Sequence, residues 1–409
     1  MGIHRFNMSE RDLNNMKLRG KVFDGFKLIE TAEIGINETT GLIEFIDEID
    51  SVSGKLAEGA TELPNVTFLP GLIDTHIHFF GTESHSLSDW VLTPDVSLTV
   101  KSVYDSQKLL LAGFTTVRTM GDKVSLGLSK AEKDGILLGP RIISSGFSLA
   151  ETGGNDDPKF LSYEDSKRMS YSYYCDGPWE CRKAVRLNIR NGAESIKAYS
   201  SRSFVGGGKI KDEFTIEELS AISDEAHRAS MKAASHAYGE TAILNSVEAD
   251  FDSIEHGLGL TNELAEDMKK KGTFYVPTLS VYKRARKNAN ETRDAMIRRH
   301  IEKEVKIAHE SRLKIAVGTD FLGTFDEPHG TNSKEIIYLS EIIGVENALK
   351  AATSSAAECL GLESTGSIRK GFRGDIIAVK GDPFKDVSVL SPENVVLVIK
   401  NGKTVKRSP

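Results

Sequence analysis

The regular alternation of two sequence patterns between about residues 69 and 362 limits what this chain can fold into. Short apolar runs rich in β-branched residues alternate there with stretches whose apolar residues recur at helical spacing. This alternation predicts parallel strands joined by helices. The first predicted strand lies in the stretch 69–78, and the other seven are 115–119, 141–145, 195–199, 233–237, 252–256, 274–278 and 315–319. Eight such strands predict an α/β fold, the (β/α)8 TIM barrel, whose functional residues lie at the carboxyl ends of the strands.

Both ends of the chain have a different texture. Residues 16–66 consist of short β-prone segments separated by turns, and the same pattern returns at 375–380 and 395–404. Two β-rich ends that flank one long middle predict a small β-sandwich domain assembled from both termini. The predicted division is residues 1–68 with 363–409 for the β-sandwich domain and residues 69–362 for the catalytic barrel.

The composition of the chain indicates which classes of binding partner to expect. The chain has 52 lysines and arginines against 59 aspartates and glutamates, a formal net charge of −7, so no binding surface for nucleic acid or an anionic membrane is expected. No apolar run approaches the roughly 20 residues that span a bilayer, and residues 1–19 lack the apolar core of a signal peptide. Three cysteines, Cys175, Cys181 and Cys359, are an odd and sparse set that argues against a disulfide framework. We therefore expect a cytoplasmic protein that acts on a small molecule or a peptide.

Residue types that bind metals recur where the predicted strands end. His76 and His78 lie one residue apart at the end of the first strand, and alternate residues of a strand point to the same side. Both imidazoles can therefore converge on one metal ion. Further strand ends carry Lys197 on strand four, His236 on strand five, His256 on strand six and Asp320 on strand eight. Four histidines and an aspartate, with one further anionic ligand, form a ligand set for two divalent ions.

The stretch 70–78, Pro-Gly-Leu-Ile-Asp-Thr-His-Ile-His, closely resembles the signature of the amidohydrolase superfamily, whose members are metal-dependent hydrolases built on a (β/α)8 barrel. The resemblance covers nearly the whole chain. Three more segments are similar to the ligand motifs of strands five, six and eight in that superfamily: Ser-His-Ala-Tyr-Gly at 235–239, Ser-Ile-Glu-His-Gly at 253–257 and Val-Gly-Thr-Asp at 317–320.

A narrower resemblance concerns the end of the barrel. Residues 328–332, 348–362 and 366–368 resemble one branch of the superfamily. That branch holds imidazolonepropionase-like proteins, Xaa-Pro dipeptidases and Xaa-Arg or Xaa-Lys carboxypeptidases. The resemblance favours the branch and leaves the choice within it open.

The resemblance implies two divalent metal ions, with zinc as the expected metal, held by His76, His78, Lys197, His236, His256 and Asp320. A strand lysine by itself is as readily a residue of a surface ion pair. The segment 194–199 nevertheless looks like the strand that bears a carboxylated lysine in binuclear amidohydrolases, so Lys197 is expected to carry carbon dioxide as a carbamate. Asp320 is expected to take a proton from the attacking water and to pass it to the leaving amine.

Four further residues are candidates for substrate binding. Tyr238 lies two residues after His236, so it faces the same side and can donate to a substrate carboxylate. Arg118 ends strand two, and His329 lies in the loop after strand eight. Asn155 stands where relatives of the dipeptidase type commonly have a histidine, and an amide cannot shuttle a proton.

The long segment 156–179 after strand three is predicted to overhang the active site. Glu151, Asp156 and Asp157 lie in this loop region, where acids suit a guanidinium or an ammonium group. The first hypothesis is therefore a carboxypeptidase that removes a basic C-terminal residue from dipeptides, short peptides or N-acyl amino acids, acting as a homo-oligomer. The alternatives are an Xaa-Pro dipeptidase, a cyclic amide hydrolase such as imidazolonepropionase, and a non-catalytic scaffold, which would have lost at least one ligand.

Overall fold

The computed structural model describes residues 15–49, 61–203, 210–285 and 290–408. The strands are β1 (Asn15–Phe23), β2 (Leu28–Asn37), β3 (Leu42–Glu48), β4 (Thr61–Pro70), β5 (Leu72–Ile77), β6 (Phe114–Thr119), β7 (Arg141–Ser144), β8 (Ser148–Ala150), β9 (Ser172–Tyr174), β10 (Ser195–Tyr199), β11 (Lys232–Tyr238), β12 (Ser253–Leu258), β13 (Phe274–Val276), β14 (Ile376–Lys380), β15 (Val395–Lys400) and β16 (Lys403–Arg407).

The helices are α1 (Leu87–Leu92), α2 (Asp95–Leu111), α3 (Ser125–Lys133), α4 (Tyr163–Met169), α5 (Gly177–Arg190), α6 (Ile216–Arg228), α7 (Glu240–Glu248), α8 (Asn262–Lys271), α9 (Leu279–Ala285), α10 (Glu291–Arg299), α11 (Val305–Glu310), α12 (Ser333–Ile343), α13 (Val345–Ala351) and α14 (Ser354–Cys359). A π-helical turn, His300–Glu304, joins α10 to α11. In the described part of the chain, no helix is both long and apolar enough to cross a membrane.

The middle of the chain forms a closed barrel of parallel strands. Strands β5, β6 and β7 pair in that order, and β10, β11, β12 and β13 pair in a second series. The two series meet where the Glu194 amide donates to the Ser144 carbonyl at 2.8 Å. On the other side, residues 314–321 lie between β13 and β5, and the Thr75 amide donates to the Val317 carbonyl at 2.8 Å. The eighth position is therefore filled by an irregular extended segment, and the predicted (β/α)8 fold is confirmed.

The Pro-Gly pair at the start of the barrel separates two strands that continue one another. β4 ends at Pro70 and β5 begins at Leu72. A side chain at Gly71 would meet the Thr115 hydroxyl at 2.0 Å, so this close approach of β5 to β6 requires glycine. The His-x-His segment therefore begins a new strand inside the barrel.

Both ends of the chain contribute to one seven-stranded, β-sandwich-like sheet with the order β16-β15-β14-β4-β1-β2-β3. Antiparallel pairing of β14 with β4, for example Ile377 opposite Leu69, joins the C-terminal strands to the N-terminal ones. The predicted β-domain from both termini is thus confirmed as part of the fold. Its proposed boundaries stay a prediction, and residues 1–14 and 50–60 lie outside the described part of the chain.

Between β7 and β10 the chain leaves the barrel in a long excursion that contains β8, α4 and β9. β9 pairs in parallel with β8, and β8 contacts β10 through Leu149 and Ala198. The excursion thus extends the barrel sheet outward at the carboxyl end of β10. Its residues Asn155, Asp156 and Tyr171 line the cavity described below, which agrees with the predicted overhang.

Candidate active site

His76, His78 and Asp320 form a tight cluster at the carboxyl end of the barrel. The Oδ1 atom of Asp320 lies 3.3 Å from Nε2 of His76 and 3.2 Å from Nε2 of His78. One potential ligand atom from each of the three residues lies within 4.8 Å of the other two. This spacing allows all three to bind a single cation.

The other three predicted ligands lie next to this cluster. The ring centroids of His236 and His256 are 4.6 Å apart, and those of His76 and His256 are 5.0 Å apart. Lys197 lies on β10, which pairs with β11 in a register that sets Tyr199 opposite His236. The structure therefore brings together all six predicted ligands, which line one cavity of about 380 Å³.

The backbone at two of these positions has an uncommon conformation. Asp320 and His256 have φ values of +57° and +68°, in the left-handed region. Aspartate and histidine occur in that region more often than most residues do, although any non-glycine residue there costs some energy. Both side chains line the cavity, so the uncommon backbone at each position fits a functional role.

The ring nitrogens of the histidines that line the cavity are suited to binding metal ions. The Nε2 atoms of His76 and His236 are buried and form no hydrogen bond within the described part of the chain, although Asp320 Oδ1 lies 3.3 Å from that of His76. A buried ring nitrogen in this state is costly unless another ligand binds it. Burial lowers the pKa of His236 and His256 well below the usual value, so both rings are neutral, as ligation requires. The residues present therefore fit divalent cations.

Each of three histidines is oriented by a hydrogen bond from its other ring nitrogen. His76 Nδ1 donates to Glu255 at 2.8 Å, and His78 Nδ1 donates to the Gly121 carbonyl at 2.9 Å. Nδ1 of His256 is 2.8 Å from the Thr278 hydroxyl. These contacts fix the ring orientations and leave Nε2 of each ring available to a metal ion.

Lys197 is the least common group at this site. Its side chain lies in the barrel interior with an exposed fraction of 1%, and no carboxylate in the described part of the chain forms an ion pair with it. Burial lowers the pKa of Lys197 to about 8, an effect that Arg118 reinforces and that Glu255 and Asp320 oppose. An amine of this kind is partly neutral at neutral pH, which is the form that reacts with carbon dioxide.

Arg118 lies beneath the histidines and outside the cavity. Its fully buried guanidinium donates to Glu255 at 2.7 Å and, through Nε, to the Thr75 carbonyl at 2.6 Å. Burial raises the pKa of Glu255, but Arg118 and His76 outweigh it and lower this pKa to about 2. The carboxylate is therefore ionised and holds His76. Arg118 therefore supports the site without lining the cavity. It acts through Glu255, for which the sequence predicted no role.

We predict that Glu255→Gln lowers the free energy of unfolding by about 3 to 5 kcal/mol, because it leaves the Arg118 guanidinium buried without a counter-charge. It should also weaken metal binding by about 10- to 100-fold through the loss of the anionic partner of His76. Urea unfolding and metal titration measure the two effects. The double variant Arg118→Met, Glu255→Gln should recover part of the stability and none of the metal affinity, and unchanged metal affinity in Glu255→Gln would contradict this role.

His329 lies behind the cluster and outside the cavity lining. Its exposed fraction is 2%, and its Nε2 donates to the His78 carbonyl at 2.9 Å. Burial lowers the pKa of His329 to about 3, so the ring stays neutral. His329 therefore supports the backbone of His78.

Tyr238 and Asn155 line the cavity as the sequence predicts. The Tyr238 ring centroid is 4.4 Å from that of His236, and its hydroxyl accepts a hydrogen bond of 2.7 Å from Tyr282. The Asn155 side-chain oxygen accepts hydrogen bonds from the amide and the hydroxyl of Ser203 at 3.0 and 2.8 Å. Both side chains present polar groups near the histidines.

The cavity wall also contains residues that the sequence did not single out. Phe80 stacks between His78 and Trp90, with ring centroids 4.8 and 4.3 Å away. Two cationic residues after β13, Arg284 and Arg293, line the same cavity. The position of both arginines shortly after a barrel strand could have indicated that they line the cavity. Both lie on helices, however, where arginines are usually part of an ordinary charged surface.

Of the three acids in the loop region after β7, namely Glu151, Asp156 and Asp157, only Asp156 lines the cavity. Asp157 accepts hydrogen bonds from the Gly153 amide and the Ser166 hydroxyl, and so shapes the loop. Glu151 lies 4.0 Å from Arg202. The acidic character of this wall therefore rests on one carboxylate.

Residues 67–405 match the model of the family described as "Amidohydrolase family". The chain belongs to this family. Among curated proteins it is 31% identical to the ochratoxinase of Aspergillus niger over an alignment of 368 positions, which covers 83% of this chain and 75% of that protein.

Solved structures of other amidohydrolases have the same fold. The crystal structure of the A. niger ochratoxinase superposes with a TM-score of 0.88 at 27% identity and covers 96% of both chains. An Xaa-Pro dipeptidase with bound methionine in its active site superposes with a TM-score of 0.82 at 31% identity over 96% of this chain and 100% of that one. A prolidase complexed with N-methylphosphonate-L-proline superposes with a TM-score of 0.86 at 27% identity over the same shares.

The predicted membership of the amidohydrolase superfamily and its peptidase-like branch is confirmed by these matches. The chain is accordingly a hydrolase of this superfamily, and its structural neighbours include an Xaa-Pro dipeptidase and a prolidase. In an amidohydrolase the His-His-Asp cluster is the expected place for metal.

Proposed function

We propose that this amidohydrolase uses two divalent metal ions to release a C-terminal residue with a free carboxylate from dipeptides, short peptides or N-acyl amino acids. The observation that carries the proposal is the convergence of six ligand-type side chains on one cavity, where Nε2 of His236 is buried and forms no hydrogen bond with the described residues. A scaffold without catalysis would have no reason to keep this costly arrangement. All six predicted ligand positions carry a residue of the expected type.

His76, His78 and Asp320 would hold one ion, and His236 with His256 would hold the second, with Lys197 as a carbamate contributing to both. A histidine-rich set of this kind favours zinc. Bound divalent ions supply Lewis acidity, which polarises an amide carbonyl and makes water acidic enough to attack near neutral pH. Asp320 accepts the proton of the attacking water and delivers it to the amine nitrogen as the C–N bond breaks.

The cationic side of the cavity would bind the substrate carboxylate. Tyr238 presents a hydroxyl beside His236, and Arg293 lies close enough to Tyr238 for its charge to lower the pKa of this phenol against the dominant effect of burial. Tyr238 and Arg293 both line the cavity and are the proposed anchors, since a buried anion requires charged or hydroxyl donors.

A second set of lining residues would bind the side chain of the released residue. Phe80, Trp90, Tyr171, Tyr199 and Asp156 line the same cavity, whose volume of about 380 Å³ leaves room for a long or ring-shaped group. Asp156 favours a basic side chain, so removal of arginine or lysine stays our first proposal. Removal of proline is the second, because structural neighbours of this chain are an Xaa-Pro dipeptidase and a prolidase.

We predict that amidation of the substrate C-terminus abolishes turnover, because the amide removes the anion that Tyr238 and Arg293 bind, while N-acylation is tolerated. Tyr238→Phe should cost about 1.5 to 3 kcal/mol in kcat/KM, the usual contribution of a hydrogen bond to a charged group, with unchanged metal content. Tyr104→Phe is the matched control, because Tyr104 is half exposed on α2 and lies outside the cavity. Equal turnover of free acids and C-terminal amides would favour the cyclic amide alternative.

A panel of N-acyl amino acids and dipeptides that differ only in the C-terminal residue tests the side-chain preference. Arginine and lysine should give the highest kcat/KM, and Asp156→Asn should lower kcat/KM for these two by more than for proline or phenylalanine. Highest kcat/KM for proline, unaffected by Asp156→Asn, would select the second proposal.

The cytoplasmic location and the homo-oligomer stay predictions.

A further inference from the structure

We propose that Cys175 and Cys181 form a reversible disulfide bond that fastens the wall of the cavity to the barrel. The two sulfur atoms lie 3.2 Å apart, and the exposed fractions of the side chains are 2% and 0%. A disulfide places the sulfurs about 2.05 Å apart, so the bond requires the two sulfurs to approach by roughly a further 1 Å. The third thiol, Cys359, lies at the end of α14 in a separate apolar cluster.

The surroundings of the pair favour the bonded form. Both thiols lie in an apolar cluster that includes Leu149, Val185 and Ile196. The Cys181 thiol is the first contribution to the raised pKa of Cys175, and burial is the second. Because each thiol lacks another close polar partner in the described part of the chain, removal of both S–H groups costs no other hydrogen bond of comparable length.

The position of the pair gives the bond a structural consequence. Cys175 directly follows β9, and its amide donates to the Ala150 carbonyl of β8 at 3.1 Å. Cys181 lies on α5, which leads into β10 and so to Lys197. The disulfide would therefore tie the excursion that carries Asn155 and Tyr171 to the helix that packs on the barrel.

The chemistry is thiol–disulfide exchange with a small disulfide such as oxidised glutathione. Two protein S–H bonds break and one protein S–S bond forms, while the small disulfide is reduced to two thiols that take up both protons. The sulfurs are buried, so exchange requires local opening of the excursion and is slow at neutral pH.

The test equilibrates the full chain in glutathione buffers of graded redox potential, then alkylates it after denaturation and maps the thiols by mass spectrometry. We expect Cys359 alone to be alkylated at oxidising potentials, with a loss of two hydrogen atoms in the peptide that holds Cys175 and Cys181. Oxidation should raise the thermal midpoint by a few degrees and slow proteolysis within residues 156–174. Alkylation of all three cysteines at every potential would overturn the proposal.

Two variants separate the pair from general oxidation. Cys359→Ala should keep the shift in the thermal midpoint, whereas Cys181→Ala should abolish it. If Cys181→Ala does not fold, peptide mapping of Cys359→Ala alone decides, because its only thiols are Cys175 and Cys181. Glutathione attached to either cysteine of that variant, without the internal bond, would contradict the proposal.

Discussion

Asp320→Asn will lower kcat by at least about a thousandfold, because asparagine cannot accept a proton and is a weaker metal ligand beside His76 and His78. The structure provides the reason for so large an effect. Asp320 Oδ1 lies within 3.3 Å of Nε2 of both histidines, and in the proposed mechanism it collects the proton of the attacking water. Steady-state kinetics with the best substrate of the N-acyl amino acid panel measure the loss.

A matched control exists elsewhere in the chain. Asp250 has φ of +60°, close to the +57° of Asp320, and lies at the surface in an ion pair with Lys271. Asparagine suits the left-handed region as well as aspartate does, so neither replacement strains the backbone. Asp250→Asn should leave kcat unchanged, and a kcat of Asp320→Asn close to that of the unsubstituted protein would exclude Asp320 as the proton carrier.

Lys197→Ala is expected to lower kcat by more than about a hundredfold. Loss of a residue that merely orients a metal ligand costs about 10- to 100-fold, so loss of a ligand itself should cost more. Added formate, acetate or propionate should restore part of the activity, because a small carboxylate can occupy the space of the lost side chain and supply similar oxygen atoms. Saturable rescue with acid concentration is the measurement.

Two comparisons make the rescue specific. Lys197→Arg should be inactive and insensitive to added acids, because its guanidinium stays charged and fills the space. Lys232→Ala, at the partly exposed start of β11 where the lysine pairs with Asp252, should be active with or without acids. An unmodified amine on Lys197 in fully active protein, detected by mass spectrometry of the intact chain, would contradict the carbamate.

The sequence predicts the barrel and the six candidate ligands because local patterns encode both. The hydrophobic periods of strands and helices can be read over a few neighbouring residues, and barrel geometry places the carboxyl ends of all strands on one face. The irregular eighth segment is less visible, because residues 314–321 pair with β13 and β5 largely through isolated backbone contacts.

The supporting contacts are not predictable in the same way, because they join residues that are distant in sequence. Arg118 ends a strand like a substrate residue, yet it pairs with Glu255, 137 positions away, beneath His76. His329 likewise turns toward the carbonyl of His78. Only the tertiary packing decides whether such a residue faces the cavity or lies behind it. Cys175 and Cys181 are only six positions apart, but their contact depends on how β9 meets α5.

Metal content measured together with activity tests the central claim most directly. The chain should be prepared metal-free by chelation, and kcat should then be followed as zinc, manganese or cobalt is added, with bound metal quantified by plasma mass spectrometry. We predict no turnover without metal, and full activity at about two ions per chain, the number that six ligands of these types can hold. Full activity in a chain shown to be metal-free, or a plateau of activity at one ion per chain, would contradict the binuclear site.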